Sequence, residues 1–154
     1  MKSFLLRGKV PIIRWSMLPD GIFFEGELPE GFSLAIMPSG NYIIVDVDRH
    51  GKIDGFDNIP KHLERELAGT LNYPTKNNGR HYWFRYSGLG TLANKASGQG
   101  IDLRVAYKGY VVWYPKDDIR DRLGEIKYTS IEMNEWLIEL FSFSVTKAKS
   151  KNNN

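Results

Sequence analysis

The chain has 154 residues, the length of one domain, and no apolar run approaches the roughly 20 residues that a membrane-spanning helix needs. It contains no cysteine, which excludes disulfides, zinc ribbons and thiol nucleophiles, and it lacks a signal-peptide pattern, so we expect a cytoplasmic protein. Hydrophobic residues make up 42% of the chain, enough for a packed core, and the formal net charge of +3 is compatible with an acidic partner such as nucleic acid without requiring one.

The first 40 residues alternate short apolar pieces with turns that contain proline and glycine. The apolar pieces at residues 12–13, 22–24 and 32–37 predict three short strands. Two cations in this region, Lys9 and Arg14, are candidates for contacts with the phosphates of a nucleic acid. Charges on the solvated edge of a sheet would give the same pattern, so both interpretations stay open.

The clearest strand signal is the run Tyr-Ile-Ile-Val at residues 42–45, which leads directly into Asp46 and Asp48. Consecutive β-branched and aromatic residues predict a buried strand. Because side chains alternate between the two faces of a strand, both carboxylates are expected on the same side. Two carboxylates at a buried strand end repel each other and are costly to desolvate, and a divalent cation compensates for both effects. The alternative is that both are solvated in a turn beyond the strand.

Residues 46–57 also follow the pattern of an EF-hand calcium loop, with acids at the first, third, ninth and twelfth positions and Gly51 at the sixth. The context argues against this alternative. A strand, rather than an amphipathic helix, is predicted to precede the loop. The fifth position is His50, which is not an oxygen ligand, and the twelfth is Asp57, where a longer bidentate Glu is expected.

The middle of the chain contains a helix, a loop and a second aromatic strand. Pro60 fits the first turn of a short helix, which carries a small leucine face and is expected to end at Gly69. A polar loop at residues 72–79 then leads into the strand 80–86, in which two large faces alternate. A loop rich in glycine and asparagine ahead of a strand can offer backbone N–H groups to an anion.

The segment after this strand is expected to form a β-hairpin. Residues 87–99 have the composition of a flexible loop, and residues 101–106 form the next strand. Lys108 and Gly109 are expected to make a tight turn, from which residues 110–114 run back beside the preceding strand.

The last part of the chain contains one amphipathic helix. Residues 116–128 are charged and predicted to be irregular, and the capping-box pattern at 129–132 is expected to start the helix. Its apolar stripe is expected to consist of Ile131, Met133, Trp136, Leu137, Leu140 and Phe141. We expect residues 1–146 to form a single domain and the polar residues 147–154 to form a disordered tail.

Four polar residues, Asp46, Asp48, His81 and Asp102, each lie near the end of a predicted strand. If those strands are neighbours, three carboxylates and an imidazole converge. Three carboxylates with open coordination positions suit Mg²⁺ or Mn²⁺. Two such ions, about 3.5–4 Å apart, activate a hydroxyl group and stabilise the leaving group of an in-line displacement.

Cations near the same strand ends are candidates for neutralising phosphate charge. Lys76, Arg80 and Arg104 are the residues of this kind. Other interpretations remain for individual residues. His81 alone would more often be a hydrogen-bonded strand histidine, and Asp102 and Arg104, two apart on one strand face, readily form an ion pair.

Three short motifs follow one another along the chain. In order, they are Ile44-Val-Asp46-Val-Asp48, Thr75-x-x-x-Gly79-x-His81, and Gly100-Ile-Asp102-Leu-Arg104 followed by Gly109-Tyr-Val-Val. Together they resemble the N-terminal domain of bifunctional DNA primase/polymerases, the prim-pol branch of the archaeo-eukaryotic primase superfamily, which occurs mainly in phages, plasmids and other mobile elements. The similarity extends over residues 8–128, since a Lys-x-Pro…Trp segment precedes the first motif, and Tyr114-Pro115 and the later Gly124…Tyr128 follow the third.

The resemblance implies an α+β fold in which a mixed or antiparallel RRM-like sheet with flanking helices forms a primase-like catalytic core. It implies a catalytic set that consists of Asp46, Asp48, His81 and Asp102. The three carboxylates would hold Mg²⁺ or Mn²⁺, with two ions expected. With the cations noted above, the expected nucleotide-binding residues are Lys76, Asn78, Gly79, Arg80, His81 and Arg104. The implied reaction is nucleotidyl transfer: a 3′-hydroxyl attacks the α-phosphate of a (d)NTP, and pyrophosphate leaves.

The chain departs from the family pattern in the second motif, which commonly reads Ser-Gly-Gly-x-His. Here the corresponding residues 77–81 read Asn-Asn-Gly-Arg-His, so the serine hydroxyl is absent, while Asn78 still tolerates a left-handed backbone. We expect a minimal catalytic core that acts on a DNA template and primer, with a separate helicase/ATPase or priming subunit as a possible partner. Two other functions stay open: a non-catalytic module that binds single-stranded nucleic acid, and a two-metal nuclease.

Overall fold

Two β-sheets, a short β-ribbon and two helices make up the part of the chain that the computed structural model describes, residues 1–143. The tail expected at 147–154 lies outside the described residues. The strands are β1 (Lys2–Arg7), β2 (Val10–Pro11), β3 (Phe32–Met37), β4 (Tyr42–Val47), β5 (Arg49–His50), β6 (Ile53–Asp54), β7 (Asn72–Pro74), β8 (Arg80–Arg85), β9 (Lys95–Ala96), β10 (Ile101–Val105), β11 (Val111–Val112) and β12 (Lys127–Tyr128), and the helices are α1 (Glu64–Gly69) and α2 (Ile131–Phe141). Neither helix has the length and apolarity that a membrane span requires.

The larger sheet has the strand order β12-β8-β4-β10-β9, and β7 pairs with β8 on the edge that β12 also uses. Its pairings are antiparallel except for the parallel pair of β12 and β8. The smaller sheet, with the order β11-β3-β1-β2, is antiparallel throughout. The strands β5 and β6 form a separate two-stranded ribbon after β4. This mixture of antiparallel sheets and few helices is consistent with the α+β class.

The larger sheet is covered on both faces, and strand alternation decides which side chain goes where. From β4, Ile43, Val45 and Val47 join a core cluster that includes Leu137 of α2. Ile44 joins a second cluster, which packs the other face against the smaller sheet. The central strand β4 is therefore buried on both sides, as its continuous apolar run predicts. Asp46 alternates with Val45 and Val47 and so lies on the face toward the smaller sheet.

The N-terminal strand predictions are correct for one segment out of three. The strand predicted at residues 32–37 is confirmed as β3, whereas residues 12–13 and 22–24 form no strand and Ile12 is exposed. The structure adds β1, which the sequence analysis did not predict. Because β1 lies between β2 and β3 and is mostly buried, its sequence does not show the apolar and polar alternation of a half-exposed strand.

The predicted hairpin between residues 101–106 and 110–114 is wrong. The first of these strands, β10, pairs with β4, whereas β11 pairs with β3 in the smaller sheet. Between them Tyr107 adopts a left-handed backbone with φ of 63° and donates its N–H to the carbonyl of Pro38. This segment therefore carries the chain from one sheet to the other instead of reversing it within one sheet.

Two predicted loops contain short strands. The first three residues of the loop predicted at 72–79 form β7, and the loop predicted at 87–99 contains β9 and a single bridge between Leu92 and Ser142. The segment 116–128, predicted to be irregular, forms two 3₁₀ turns, at Ile119–Asp121 and Leu123–Glu125, followed by β12. These elements are two or three residues long, so no periodic pattern can reveal them.

The helix at the C-terminal end of the described residues begins one residue later than the capping-box pattern indicates. Ser130, rather than Thr129, is the N-cap, and its hydroxyl accepts a hydrogen bond from the N–H of Met133. The hydroxyl of Thr129 instead accepts the backbone N–H of Ser87. With this start, Ile131 is 74% exposed and does not belong to the apolar stripe, whereas Met133, Trp136, Leu137 and Phe141 are buried.

Candidate functional site

A row of four polar side chains crosses the larger sheet on the face toward the smaller sheet. The antiparallel register places Asp46 of β4 directly between His81 of β8 and Asp102 of β10. On the other side of His81, the register places Tyr73 of β7 opposite it. Residues opposite each other on paired strands lie on the same face, so the row arises from the pairing of four strands. The convergence expected of Asp46, His81 and Asp102 is therefore present.

Asp48 joins this row from the end of β4. Its backbone N–H donates to the carbonyl of Gly100 at 2.8 Å, and its carbonyl accepts from the N–H of Gly55 at 2.8 Å. These two bonds fix the backbone of Asp48 just beyond the strand. Carboxylate oxygens of Asp46, Asp48 and Asp102 all lie within 4.8 Å of one another, so a single cation can contact all three.

Asp46 is buried, and its Oδ1 has no hydrogen-bond partner among residues 1–143. Oδ1 lies 3.3 Å from Nε2 of His81, but the angles of this contact do not make it a hydrogen bond. An unpaired buried carboxylate oxygen is unfavourable unless a cation compensates. Three carboxylates supply the hard oxygen ligands that Mg²⁺ and Mn²⁺ prefer. Both the donor set and the unpaired oxygen therefore fit a divalent cation of this kind.

Burial and the nearby carboxylate of Asp46 raise the proton affinity of both Asp48 and Asp102. The pKa of Asp48 is raised, mainly because burial disfavours its charge and also because Asp46 lies nearby. The pKa of Asp102 is likewise raised by burial and by Asp46, although the guanidinium of Arg104, 3.4 Å away, opposes the shift. The ion pair considered as an alternative role for Asp102 is thus present beside the cluster. This ion pair lowers the pKa of Asp102 by less than burial raises it.

Replacing Asp102 with asparagine should change the pH dependence of stability in metal-free protein. Because the folded-state pKa of Asp102 is raised, ionisation destabilises the native state as the pH rises from the ordinary pKa of about 3.9 through the raised value. Asparagine cannot ionise, so the melting temperature of Asp102→Asn relative to wild type should increase over that window and level off above it. Circular dichroism melts in a chelator between acidic and neutral pH measure this difference. A difference that is constant with pH would contradict the prediction.

The EF-hand alternative does not fit the fold. Strand β4 precedes the segment where that motif requires a helix, and the ribbon of β5 and β6 occupies its middle. Asp54, at the ninth position, accepts the backbone N–H of Phe56 and pairs with Arg49 at 3.1 Å. Its carboxylate therefore holds the ribbon and the following 3₁₀ turn instead of facing Asp46.

A cleft of about 530 Å³ opens between the two sheets, and Asp46, Asp48 and His81 line it. Four cations line the same cleft, one on a strand of the larger sheet and three in the segments between strands. They are Lys9, Lys76, Arg104 and Lys108. A cleft that combines carboxylates on one strand with several cations suits a ligand that carries both a metal ion and phosphate groups.

Of the five cations that the sequence analysis indicated, three line the cleft and two do not. Lys76 and Arg104 line it, and so does Lys9 from the N-terminal region. The structure does not bring Arg80 to the cleft, because Arg80 precedes His81 on β8 and strand alternation places it on the opposite face. There it donates to Oδ1 of Asn72 at 2.7 Å. Arg14 is exposed and lies outside the cleft lining.

The loop before β8 is tightly packed against the end of β4. Asn78 adopts the expected left-handed backbone, with φ of 63°. A Cβ on Gly79 would lie 2.4 Å from the carbonyl oxygen of Val47 and 3.3 Å from Oδ1 of Asp48, so only glycine fits here. Asn78 and Gly79 are not lining residues of the cleft; instead their backbone brings Thr75, Lys76 and Asn77 to its wall.

Several residues of the site were missed by the sequence analysis. Lys108 was assigned to a hairpin turn, yet it lines the cleft because the chain crosses between sheets at this point. Tyr73 was assigned to a loop, although residues 72–74 form a strand that pairs antiparallel with β8. Asn94 was placed in a flexible loop, but it lines the cleft and its Oδ1 accepts the N–H of Val105.

Comparison with known proteins agrees with the motifs. Residues 13–133 match the family described as bifunctional DNA primase/polymerase, N-terminal. No curated protein matches the chain. The matched region contains all three carboxylates of the cluster, His81 and most of the cleft. The chain therefore belongs to the family of bifunctional DNA primase/polymerase N-terminal domains.

Proposed function

We propose that the protein is a metal-dependent, template-directed nucleotidyltransferase, the primase/polymerase core of a replication system in a phage or another mobile element. The observation that carries this proposal is the convergence of Asp46, Asp48 and Asp102 in a chain from this family, with Asp46 and Asp48 lining a cleft that also contains four cations. We also propose that residues 1–146 act as one primase-like domain with an RRM-like sheet, in the cytoplasm of the host cell. Its substrates are a DNA template with primer and (d)NTPs.

The three carboxylates would hold Mg²⁺ or Mn²⁺, with two ions expected. When bound, such ions lower the pKa of the attacking 3′-hydroxyl and neutralise charge on the phosphate oxygens. The geometry supports this role for Asp46 in particular, because its buried Oδ1 lacks a hydrogen-bond partner among the described residues. Asp48, held by two backbone hydrogen bonds, keeps its carboxylate beside that oxygen.

The chain's own cations and imidazole would bind the triphosphate. Lys76, Arg104 and Lys108 line the cleft and supply positive charge for the phosphate oxygens. His81 faces the same space with Nε2, which as an N–H donor can hydrogen-bond a phosphate oxygen. Lys9, at the cleft, and Arg14, outside it, are candidates for contacts with the template or primer backbone. A separate helicase/ATPase or priming subunit remains a possible partner.

Primer extension tests the proposed function directly. With a primed template, nucleotides and Mn²⁺ or Mg²⁺, the purified protein is expected to lengthen the primer and to do nothing in a chelator. Shortening of labelled DNA without added nucleotide would instead support the two-metal nuclease. Salt-sensitive binding to single strands that needs no metal, without incorporation, would support the non-catalytic module.

Replacing Lys108 with glutamine is expected to raise the KM for the incoming nucleotide about tenfold, because a charge-assisted contact to phosphate contributes about 1.5–3 kcal/mol and exposure reduces it. The kcat should change little if the contact is equally strong in the ground and transition states. Steady-state primer extension separates the two constants. Lys127→Gln is the matched control, since Lys127 is also exposed but lies on β12, away from the cleft. An unchanged KM in Lys108→Gln would remove Lys108 from the nucleotide site.

A further inference from the structure

The hydroxyl group of Tyr73 lies at the buried end of the polar row. The residue is only 5% exposed, and its ring packs edge-on against Trp113, with ring centroids 4.9 Å apart. Three polar atoms surround the hydroxyl oxygen. They are Nε1 of Trp83 at 3.0 Å, Nδ1 of His81 at 3.2 Å and the carbonyl oxygen of Val112 at 3.4 Å.

The protons of this group can be counted. The indole N–H of Trp83 is only a donor, so the oxygen of Tyr73 accepts from it. The single hydroxyl proton then has two possible acceptors, Nδ1 of His81 and the more distant carbonyl of Val112. Burial raises the pKa of Tyr73, so the hydroxyl keeps this proton. The shorter contact is the one to His81.

The choice of acceptor determines what His81 presents to the cleft. If Tyr73 donates to Nδ1, a neutral imidazole must carry its proton on Nε2. That atom faces Oδ1 of Asp46, 3.3 Å away, and the cleft beyond it. If the hydroxyl instead turned to Val112, Nδ1 would donate to Tyr73. A neutral Nε2 would then present a lone pair to carboxylates and phosphates, which repel it.

We propose that Tyr73 is a positioning residue, whose hydroxyl holds His81 in the tautomer protonated on Nε2 and directs that N–H into the cleft. The assignment of this tautomer does not require that the protein catalyses nucleotidyl transfer. The effect of the tautomer on nucleotide binding rests on the proposed function. The geometry favours this arrangement because Tyr73 and His81 are opposite each other on paired strands. Their side chains therefore keep a fixed spacing on one face of the sheet.

The tautomer can be measured by two-bond ¹H–¹⁵N correlation spectra of the labelled, metal-free protein, at a pH above the ordinary imidazole pKa of about 6.5. The chain has three histidines, of which His62 is exposed and serves as the internal reference, whereas Nε2 of His50 lies 3.4 Å from Oδ2 of Asp48. Wild type should show His81 with a protonated Nε2 and an unprotonated Nδ1. A His81 protonated on Nδ1 in wild type would overturn the proposal, whatever the variants do.

Two conservative variants separate positioning from packing. Tyr73→Phe keeps the buried ring and removes the hydroxyl, so the His81 signals should move toward the tautomer mixture of the exposed His62. Trp83→Phe removes the N–H that donates to the hydroxyl and leaves the contact from Tyr73 to His81, so the tautomer should stay as in wild type. An unchanged tautomer in Tyr73→Phe, or an equal change in both variants, would overturn the proposal.

Primer extension gives the functional readout of the same variant. Partners that orient a metal-ligating histidine typically contribute a factor of about 10 to 100, and we expect an effect of the same order for His81. If the Nε2–H binds phosphate equally in the ground and transition states, Tyr73→Phe should raise the nucleotide KM by such a factor with a smaller change in kcat. A wild-type protein that shows the expected tautomer but incorporates no nucleotide would contradict the proposed function and leave the assignment of Tyr73 intact.

Discussion

Replacing Asp46 with asparagine is expected to abolish nucleotide incorporation while stabilising the metal-free fold. The variant loses one of the three carboxylates whose oxygens lie within 4.8 Å of one another, and the one whose buried Oδ1 has no hydrogen-bond partner within residues 1–143. Metal binding of this kind supplies several kcal/mol to the transition state, so the rate should fall by about 100-fold or more. Primer extension under saturating nucleotide measures this loss.

The same substitution should increase stability when no metal is present. Asp46 is buried, its Oδ1 has no hydrogen bond within residues 1–143, and its charge raises the pKa of both Asp48 and Asp102, so removing the charge relieves repulsion within the cluster. Asparagine keeps the shape and removes the charge. A gain of about 1 kcal/mol would raise the melting temperature by roughly 2–4 °C in a protein of this size. Thermal melts in a chelator measure this gain, and added Mn²⁺ should stabilise wild type more than the variant.

The matched control is Asp57→Asn. Asp57 belongs to the same acidic segment, but it is exposed and lies in a 3₁₀ turn outside the carboxylate cluster. This variant should retain wild-type activity, melting temperature and response to Mn²⁺. An equal loss of activity in both variants would mean that the segment acts as one unit, as in a calcium loop. Full activity in Asp46→Asn would contradict the proposed metal centre.

Local sequence patterns were sufficient to predict an element such as β4, whose signal comes from consecutive residues. The apolar run at 42–45 predicts β4, and the alternation from Val45 to Val47 already places Asp46 on one defined face. The same rule, applied to β8, would have separated Arg80 from His81, since neighbours on a strand point to opposite faces. Arg80 was expected at the nucleotide because both residues belong to one motif, and the motif gives no information on side-chain direction.

Long-range pairing is the part that the sequence did not determine. The turn at Lys108 and Gly109 is a local hairpin signal, yet β11 pairs with β3, about 75 residues earlier in the chain. A strand pattern indicates that a segment will pair and which of its side chains share a face, but it does not identify the strand with which the segment pairs. Tyr73 was missed for the same reason. Its strand contains Pro74 and lies at the sheet edge, where proline is tolerated but weakens the strand pattern.

The position of Asp48 depends on the close backbone contact between Gly55 and Gly100, and the substitution Gly55→Ala is expected to disturb this contact. A Cβ on Gly55 would lie 2.1 Å from the carbonyl oxygen of Gly100 and 2.9 Å from that of Asp48. These are the two backbone positions that hold Asp48, since Gly100 accepts its N–H and Gly55 donates to its carbonyl. The added methyl group must push the Gly100 carbonyl away, which displaces Asp48 from the carboxylate cluster.

Overpacking of a close backbone contact costs about 1–3 kcal/mol, which corresponds to a melting temperature lowered by roughly 2–12 °C. A displacement of about 1 Å at a catalytic position can cost a factor of about 100 in rate. We therefore expect Gly55→Ala to bind Mn²⁺ at least about tenfold more weakly and to incorporate nucleotide about 100-fold more slowly. Electron paramagnetic resonance of free Mn²⁺ measures the affinity, and thermal melts measure the fold.

The control for this substitution is Gly69→Ala. Gly69 is the last residue of α1, and apart from its chain neighbours and the backbone of its own helix, a Cβ there would meet no atom of the described residues within 4 Å. Alanine should stabilise this helix by about 0.5–1 kcal/mol and leave Mn²⁺ binding unchanged. Gly55→Ala and Gly69→Ala thus add the same methyl group with opposite expected effects. If Gly55→Ala bound Mn²⁺ as tightly as Gly69→Ala, the position of Asp48 would not depend on the glycine contact, and its carboxylate would have to be held by other bonds.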